Sequence, residues 1–113
     1  MKVIVAGSRT GFVARNVFEA IEESQFIVTE IVSGHAQGVD KDGEYYAYCN
    51  SLPIKVFIPE WDTHGKKAGI LRNKQMGNYA DALVAVWDGN SKGTKHMIEY
   101  MQSLNKPVYV YKR

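Results

Sequence analysis

Several things are scarce in this chain of 113 residues: it has one cysteine, three prolines and no apolar run long enough to cross a membrane. The single thiol, Cys49, cannot close an internal disulfide and suits a reducing compartment. The first apolar run, Val3-Ile4-Val5-Ala6, is too short for a signal peptide or a membrane span, so a cytoplasmic protein without a membrane partner is expected. Charge of one sign is scarce as well. A formal net charge of +2 does not mark a nucleic-acid binder, and nucleic acid is not the expected partner.

Familiar chemical signatures are missing too. His35, His64, His96 and Cys49 show no paired ligand spacing, so neither a metal nor a cofactor is expected. Gly7 is not followed by a G-x-x-G continuation and no G-K-[ST] occurs, which disfavours an ordinary dinucleotide dehydrogenase or a P-loop NTPase. No linker, repeat or low-complexity tract divides the chain, so residues 1–113 read as a single domain.

What the chain does have is an alternation of short apolar runs and longer amphipathic stretches. Val3 to Ala6 and Ala82 to Trp87 read as strands covered on both faces, the second near the sheet centre. Ile31-Val32 is a further strand; Ile54 to Ile58 is another, placed at an edge by Lys55, and Pro107 to Tyr111 is the last. Between them, helices are expected over Phe12–Glu23 with a stripe of Val13, Val17, Ala20 and Ile21, and over about Val39–Asn50, weakened by Gly43. Two more run from about Ala68 to Tyr79 and from Lys95 to Leu104, while residues 60–67 read as irregular. This α/β pattern of about five strands and four helices indicates one doubly wound parallel sheet, Rossmann-like, in the flavodoxin-like order 3-2-1-4-5.

Three glycine-containing turns fall where strands hand over to helices: Gly7 to Thr10, Ser33 to Gly38, and Gly89 to Thr94. Glycine allows close approach of backbone to ligand, and the following helix aims unpaired N–H groups at an anion. In the expected strand order these turns meet at the carboxyl ends of the strands where the chain reverses direction, the usual ligand crevice of such sheets. They would form a phosphate-binding rim from Gly7, Ser8, Arg9, Ser33, Gly34, His35, Ala36, Gly38, Asp88, Gly89, Ser91, Gly93 and Thr94. The plainer alternative is that each glycine only eases a tight turn and that Ser8 and Thr94 only cap helices.

Further polar candidates lie outside the turns. Arg72 can fork onto a phosphate, and Asn73 can read a ribose hydroxyl or a base edge, although an ordinary solvated helix face is the alternative for both. Trp61 either stacks on a base as a lid or anchors its loop to the core. Asp40 and Glu44, four apart, share a helix face toward Gly34, where they are candidates for chemistry or complements to the helix dipole.

The ordered run of Val-Ala-Gly-Ser-Arg at 5–9, Val-Ser-Gly-x-Ala-x-Gly-Val-Asp-x-x-Gly-Glu at 32–44, Trp61, Gly65, Ala-Gly-x-x-Arg-Asn at 68–73, Met76, Ala-Asp-Ala at 80–82, Gly89 and Gly93-Thr94 resembles the SLOG superfamily. The likeness runs along almost the whole chain and is nearest to the small stand-alone YspA or cpYpsA-related branch found in phages and bacteria. It implies a nucleotide-like small molecule as partner, of nucleoside phosphate, phosphoribosyl or ADP-ribose type, and a homo-oligomer. The tyrosines Tyr45, Tyr46, Tyr48, Tyr100, Tyr109 and Tyr111 supply candidates for the interface.

The distantly similar Lonely Guy phosphoribohydrolases match at Arg72 and Gly93-Thr94, but their catalytic glutamates correspond to His96 and Met97 here, and Asp88 stands where their turn has proline. A binding protein is therefore expected ahead of a hydrolase. Were the protein an enzyme, Asp40, Glu44 and Arg72 would be its catalytic candidates. A third reading, single-stranded nucleic-acid binding, rests on Lys66, Lys67, Arg72 and Lys74.

Overall fold

The structure, a computed structural model, describes residues 1–112. Five strands, β1 (Lys2–Gly7), β2 (Glu30–Ser33), β3 (Ile54–Val56), β4 (Ala82–Val86) and β5 (Val108–Tyr111), alternate with α1 (Ala14–Ser24), α2 (Val39–Cys49), the single-turn α3 (Trp61–His64), α4 (Ala68–Tyr79) and α5 (Lys92–Ser103). The strands pair in parallel in the order β3-β2-β1-β4-β5, as the apolar runs predict. A parallel sheet needs a crossover between neighbouring strands, and each crossover here contains a helix that covers a face.

Alternation along β1 divides the core in two. Val3 and Val5 join Val17, Ala20 and Ile21 of α1 and Val39 and Ala47 of α2 on one face. Ile4 and Ala6 join Met76 of α4 and Met97, Ile98 and Met101 of α5 on the other. Both faces of β1 and β4 are buried, so these strands read as continuous apolar runs rather than alternating ones. The weakly helical α2 owes its glycine to this packing. A methyl group at Gly43 would lie 2.7 Å from the Cβ of Val5, so only a residue without a side chain lets α2 settle on β1.

Element ends differ from the expectation in several places, α5 among them, which starts at Lys92 rather than Lys95. Val13 precedes α1 and is 60% exposed, outside the buried stripe, because the helix begins only at Ala14. The third strand stops at Val56, just before Pro59 turns the chain away. Residues expected to be irregular contain α3 and a short 3-10 turn at Gly65–Lys67, elements too brief to show a periodic stripe. Of the tyrosines considered for an interface, Tyr109 and Tyr111 donate hydrogen bonds to Glu23 and Glu19 of α1, whereas Tyr45 and Tyr48 are exposed on α2.

Replacing Gly43 by alanine should lower stability by about 1–3 kcal/mol despite alanine's better helix propensity, because overpacking against Val5 outweighs the propensity gain. Thermal unfolding followed by circular dichroism measures this, and an unchanged or raised Tm would contradict the packing argument.

Candidate functional site

The three turns lie together at the carboxyl ends of β1, β2 and β4, on either side of the switch between β1 and β4. Backbone bonds hold them there. Ser8 N donates to the Val86 carbonyl at 3.1 Å and Asp88 N donates to Ser8 Oγ at 3.1 Å, clipping the first turn to the third. Val39 N donates to the Ser8 carbonyl at 3.3 Å, joining the first turn to the start of α2. Gly38 makes that approach possible: its φ is +81°, and a methyl group there would lie 2.4 Å from the Arg9 carbonyl oxygen.

Two adjoining cavities open at this edge. One, of about 170 Å³, is lined by Gly7, Arg9 and Ala36 on one side, by Asp40, Arg72 and Asn73, and by Ser91, Gly93 and Thr94 at the start of α5. Its floor is Ala6, Met76 and Met97. The other, of about 240 Å³, lies between the Gly34–Ala36 turn and Ile58, Pro59 and Trp61. Arg9, Ala36 and Arg72 line both, so the two form adjacent lobes of one cleft.

Arg72 is the hinge of the arrangement. Its Nη1 donates to the Gly34 carbonyl at 2.7 Å and its Nε donates to Asn73 Oδ1 at 3.1 Å. Burial holds its guanidinium below the usual arginine range, Asp40 counteracts this, and the nearby like charge of Arg9 adds to the lowering. Arg9 is exposed and forms no hydrogen bond or ion pair among the described residues. Two cations close enough to repel each other therefore face a cleft that holds one carboxylate.

That carboxylate is Asp40, 5% exposed. Its Oδ2 accepts the Ala36 N–H at 3.3 Å. Burial pushes its pKa up to about 6, against the lowering by the Ala36 N–H, Arg72 and the Gly7 N–H, while Glu44 raises it further. Glu44 shares the helix face, as the spacing predicts, but does not line either cavity. It accepts Ser33 Oγ–H at 2.7 Å and the His35 ring at 2.8 Å. Lys41 Nζ lies 2.7 Å from His35 Nε2 and can only donate, so His35 carries its proton on Nδ1, facing Glu44.

Several residues expected to touch a ligand also have structural tasks. Asn73 Nδ2 donates to the Gly93 carbonyl and to His96 Nδ1, both at 3.2 Å, so its amide ties α4 to α5 although the residue borders the cavity. Asp88 Oδ1 accepts the N–H groups of Asn90 and Ser91 at 2.8 and 3.0 Å, which hold its carboxyl below the usual range and shape the turn around Gly89. Ser8 and Ser33 are buried and bonded as described, and Ser91 caps α5. Neither His96 nor Met97 puts a carboxylate in the cleft. His96 stacks on Tyr100 and burial lowers its pKa, while Met97 is buried in the floor.

Met76, Met97, Ile58 and Pro59 were not foreseen as lining residues. A signal existed for two of them: Met76 follows Arg72 by four residues and Met97 follows Gly93 by four, spacings that share a helix face. Ile58 and Pro59 gave none, because they follow the strand at a chain bend. Among the described residues no helix is long and apolar enough to cross a membrane, and no three His, Cys, Asp or Glu side chains gather as a metal-holding group.

The sheet order and the cleft at its switch point define a Rossmann-like α/β domain. The protein is similar to DNA processing protein A (DprA) from Streptococcus pneumoniae, with a TM-score of 0.77 and 20% identity, over 96% of this chain and 49% of that one. This likeness shows the fold alone; the chain spans about half of the DprA chain. No protein-family model matches. The chain is 31% identical over 118 residues to the Gene 61 protein of Mycobacterium phage D29, covering 95% of this chain and 93% of the phage protein, and it belongs to that protein's family.

Between pH 3.8 and about 6 the folded protein binds a proton at Asp40 that the unfolded chain releases, so this group's contribution to stability falls as pH rises through that window. Asp40→Asn should stabilise the protein above pH 6 by on the order of 3 kcal/mol at most, with the gain vanishing below the unfolded value. Urea unfolding across this range tests it; a gain independent of pH, or a loss above pH 6, would show that the carboxylate is not held at a cost.

Proposed function

We propose that the protein binds a nucleotide-derived small molecule, of nucleoside phosphate, phosphoribosyl or ADP-ribose type, as a sensor or sequestering protein. The observation that carries this reading is the pair of guanidiniums, Arg9 and Arg72, that line both lobes while repelling each other. An anion held in the first lobe, which both arginines line, relieves that repulsion and accepts charge-assisted hydrogen bonds. The start of α5 adds the Gly93 N–H and a positive dipole end, while the Thr94 N–H is taken by the Ser91 cap. The second lobe, with Trp61, Pro59 and Ile58, suits a flat apolar group such as a base.

Binding is favoured over turnover because the helix that carries glutamates in the similar hydrolases presents His96 and Met97 here. The phage relative fits a role in phage and bacterial conflict, within the YspA or cpYpsA-related branch. Homo-oligomerisation through the exposed face of Tyr45 and Tyr48 belongs to the same reading. A second reading, a small phosphoribohydrolase, rests on the buried Asp40 beside Arg72, a carboxylate whose raised pKa suits proton transfer. The expectation against nucleic acid has no support from the DprA likeness, and single-stranded DNA is included in the test for that reason.

The protein is incubated with AMP, ADP-ribose or a single-stranded oligonucleotide, and heat-released contents are analysed by mass spectrometry alongside calorimetric titration. Tight binding with intact recovery is expected for a small nucleotide, weakened about tenfold or more by Arg72→Ala, as for loss of a charge-assisted contact. Turnover abolished by Asp40→Asn would establish the hydrolase instead. Steeply salt-dependent oligonucleotide binding, with no small-molecule binding, would establish the nucleic-acid reading.

A further inference from the structure

The proposed ligand cleft contains a feature that phosphate binding does not explain. Asp40 is buried, lines the first lobe and is negatively charged when ionised, so a phosphate placed against it would be repelled. The positive groups are distributed to either side. Gly93 and Thr94 offer the helix N-terminus of α5 within the same lobe, and Arg9 and Arg72 stand where the lobes meet. A methyl group at Gly34 would meet Arg72 Nη1 at 2.6 Å and Asp40 Oδ2 at 2.9 Å, so acid and base flank one point beneath the Ser33–Gly38 turn. The carboxylate is therefore held beside the junction of the lobes.

A carboxylate only accepts hydrogen bonds, and its two oxygens offer about four acceptor positions. Ala36 N–H and Gly7 N–H occupy part of that capacity. Whatever part of a ligand lies against Asp40 must donate. A nucleotide with phosphate toward Gly93 and Thr94 and base toward Trp61 and Pro59 brings its sugar to this junction, and the sugar hydroxyls are its donors there.

Resting on the nucleotide-binding reading above, we propose that Asp40 reads the ribose hydroxyls and makes the cleft selective for ribonucleotide-type ligands over their 2′-deoxy counterparts. A missing hydroxyl leaves an acceptor of the buried carboxylate without its partner, which disfavours the deoxy ligand far more than the loss of one exposed contact would. The same selectivity sets a small ribonucleotide apart from a DNA strand as the natural occupant.

Calorimetric titration of the whole chain with AMP, 2′-deoxy-AMP and IMP near neutral pH tests this. The wild-type protein should bind AMP at least about tenfold more tightly than 2′-deoxy-AMP and bind IMP like AMP, and Asp40→Asn, whose fold is verified by thermal melting, should narrow the sugar gap to a few-fold. The wild-type ratio decides even if the variant does not fold. Equal affinity for AMP and 2′-deoxy-AMP overturns the proposal and leaves nucleotide binding standing. A gap unchanged in a folded Asp40→Asn protein overturns Asp40's role, and discrimination by base alone moves the carboxylate from sugar to base. Failure of all three to bind overturns this proposal together with the AMP-type reading beneath it.

Discussion

Arg72 stands where three separate stretches of chain converge, and the cleft depends on its guanidinium. Nη1 reaches the Gly34 carbonyl from α4, and Nε engages Asn73, whose own amide continues to the Gly93 carbonyl. A planar group with five donors can make such divergent bonds, and a lysine could not reproduce them. In this way the β2–α2 turn, the body of α4 and the start of α5 are set relative to one another by a single connected network. The sheet supplies the edge; the network determines how wide the gap above it stands.

The charges in that gap are not arranged for stability. Arg9 and Arg72 repel, and Asp40 is buried deeply enough that its ionised form is held at a cost. A domain shaped only for folding would have a neutral side chain at 40 and would leave the arginines further apart. Perturbed groups gathered in a cleft mark a candidate site, since a ligand's own charge and donors would complete what the protein leaves incomplete. Contrast Glu44, one turn further along the same face of α2, which is engaged by Ser33 and His35 and serves to stiffen the turn.

Much of the fold was legible because burial on both faces leaves a plain mark: Val3–Ala6 and Ala82–Val86 are unbroken apolar runs, and the helices between them carry stripes at helical spacing. Ends were less legible. Val13 fits the stripe of α1 by spacing alone, yet the helix starts after it, and α3 is a single turn without any periodicity. The glycine turns were legible as a group, since each follows an apolar strand. The tasks of Asn73 and Asp88 were not, because a polar side chain beside a cleft looks the same in sequence whether it meets a ligand or a backbone N–H.

By itself, then, the sequence determined the strand order, the two-faced core and the edge at which glycine turns gather, all consequences of local periodicity and of the short reach of connections. Tertiary structure alone decided which polar groups those turns keep for themselves and which they present. The side chains of Asp88, Asn73 and Glu44 bond to protein partners between 1 and 23 residues away, whereas Arg9, Arg72 and Asp40 converge on the cleft. Apart from the local turn at Asp88, hydrogen-bond satisfaction depends on distances between segments well separated in the chain, and no spacing rule along one segment contains that information.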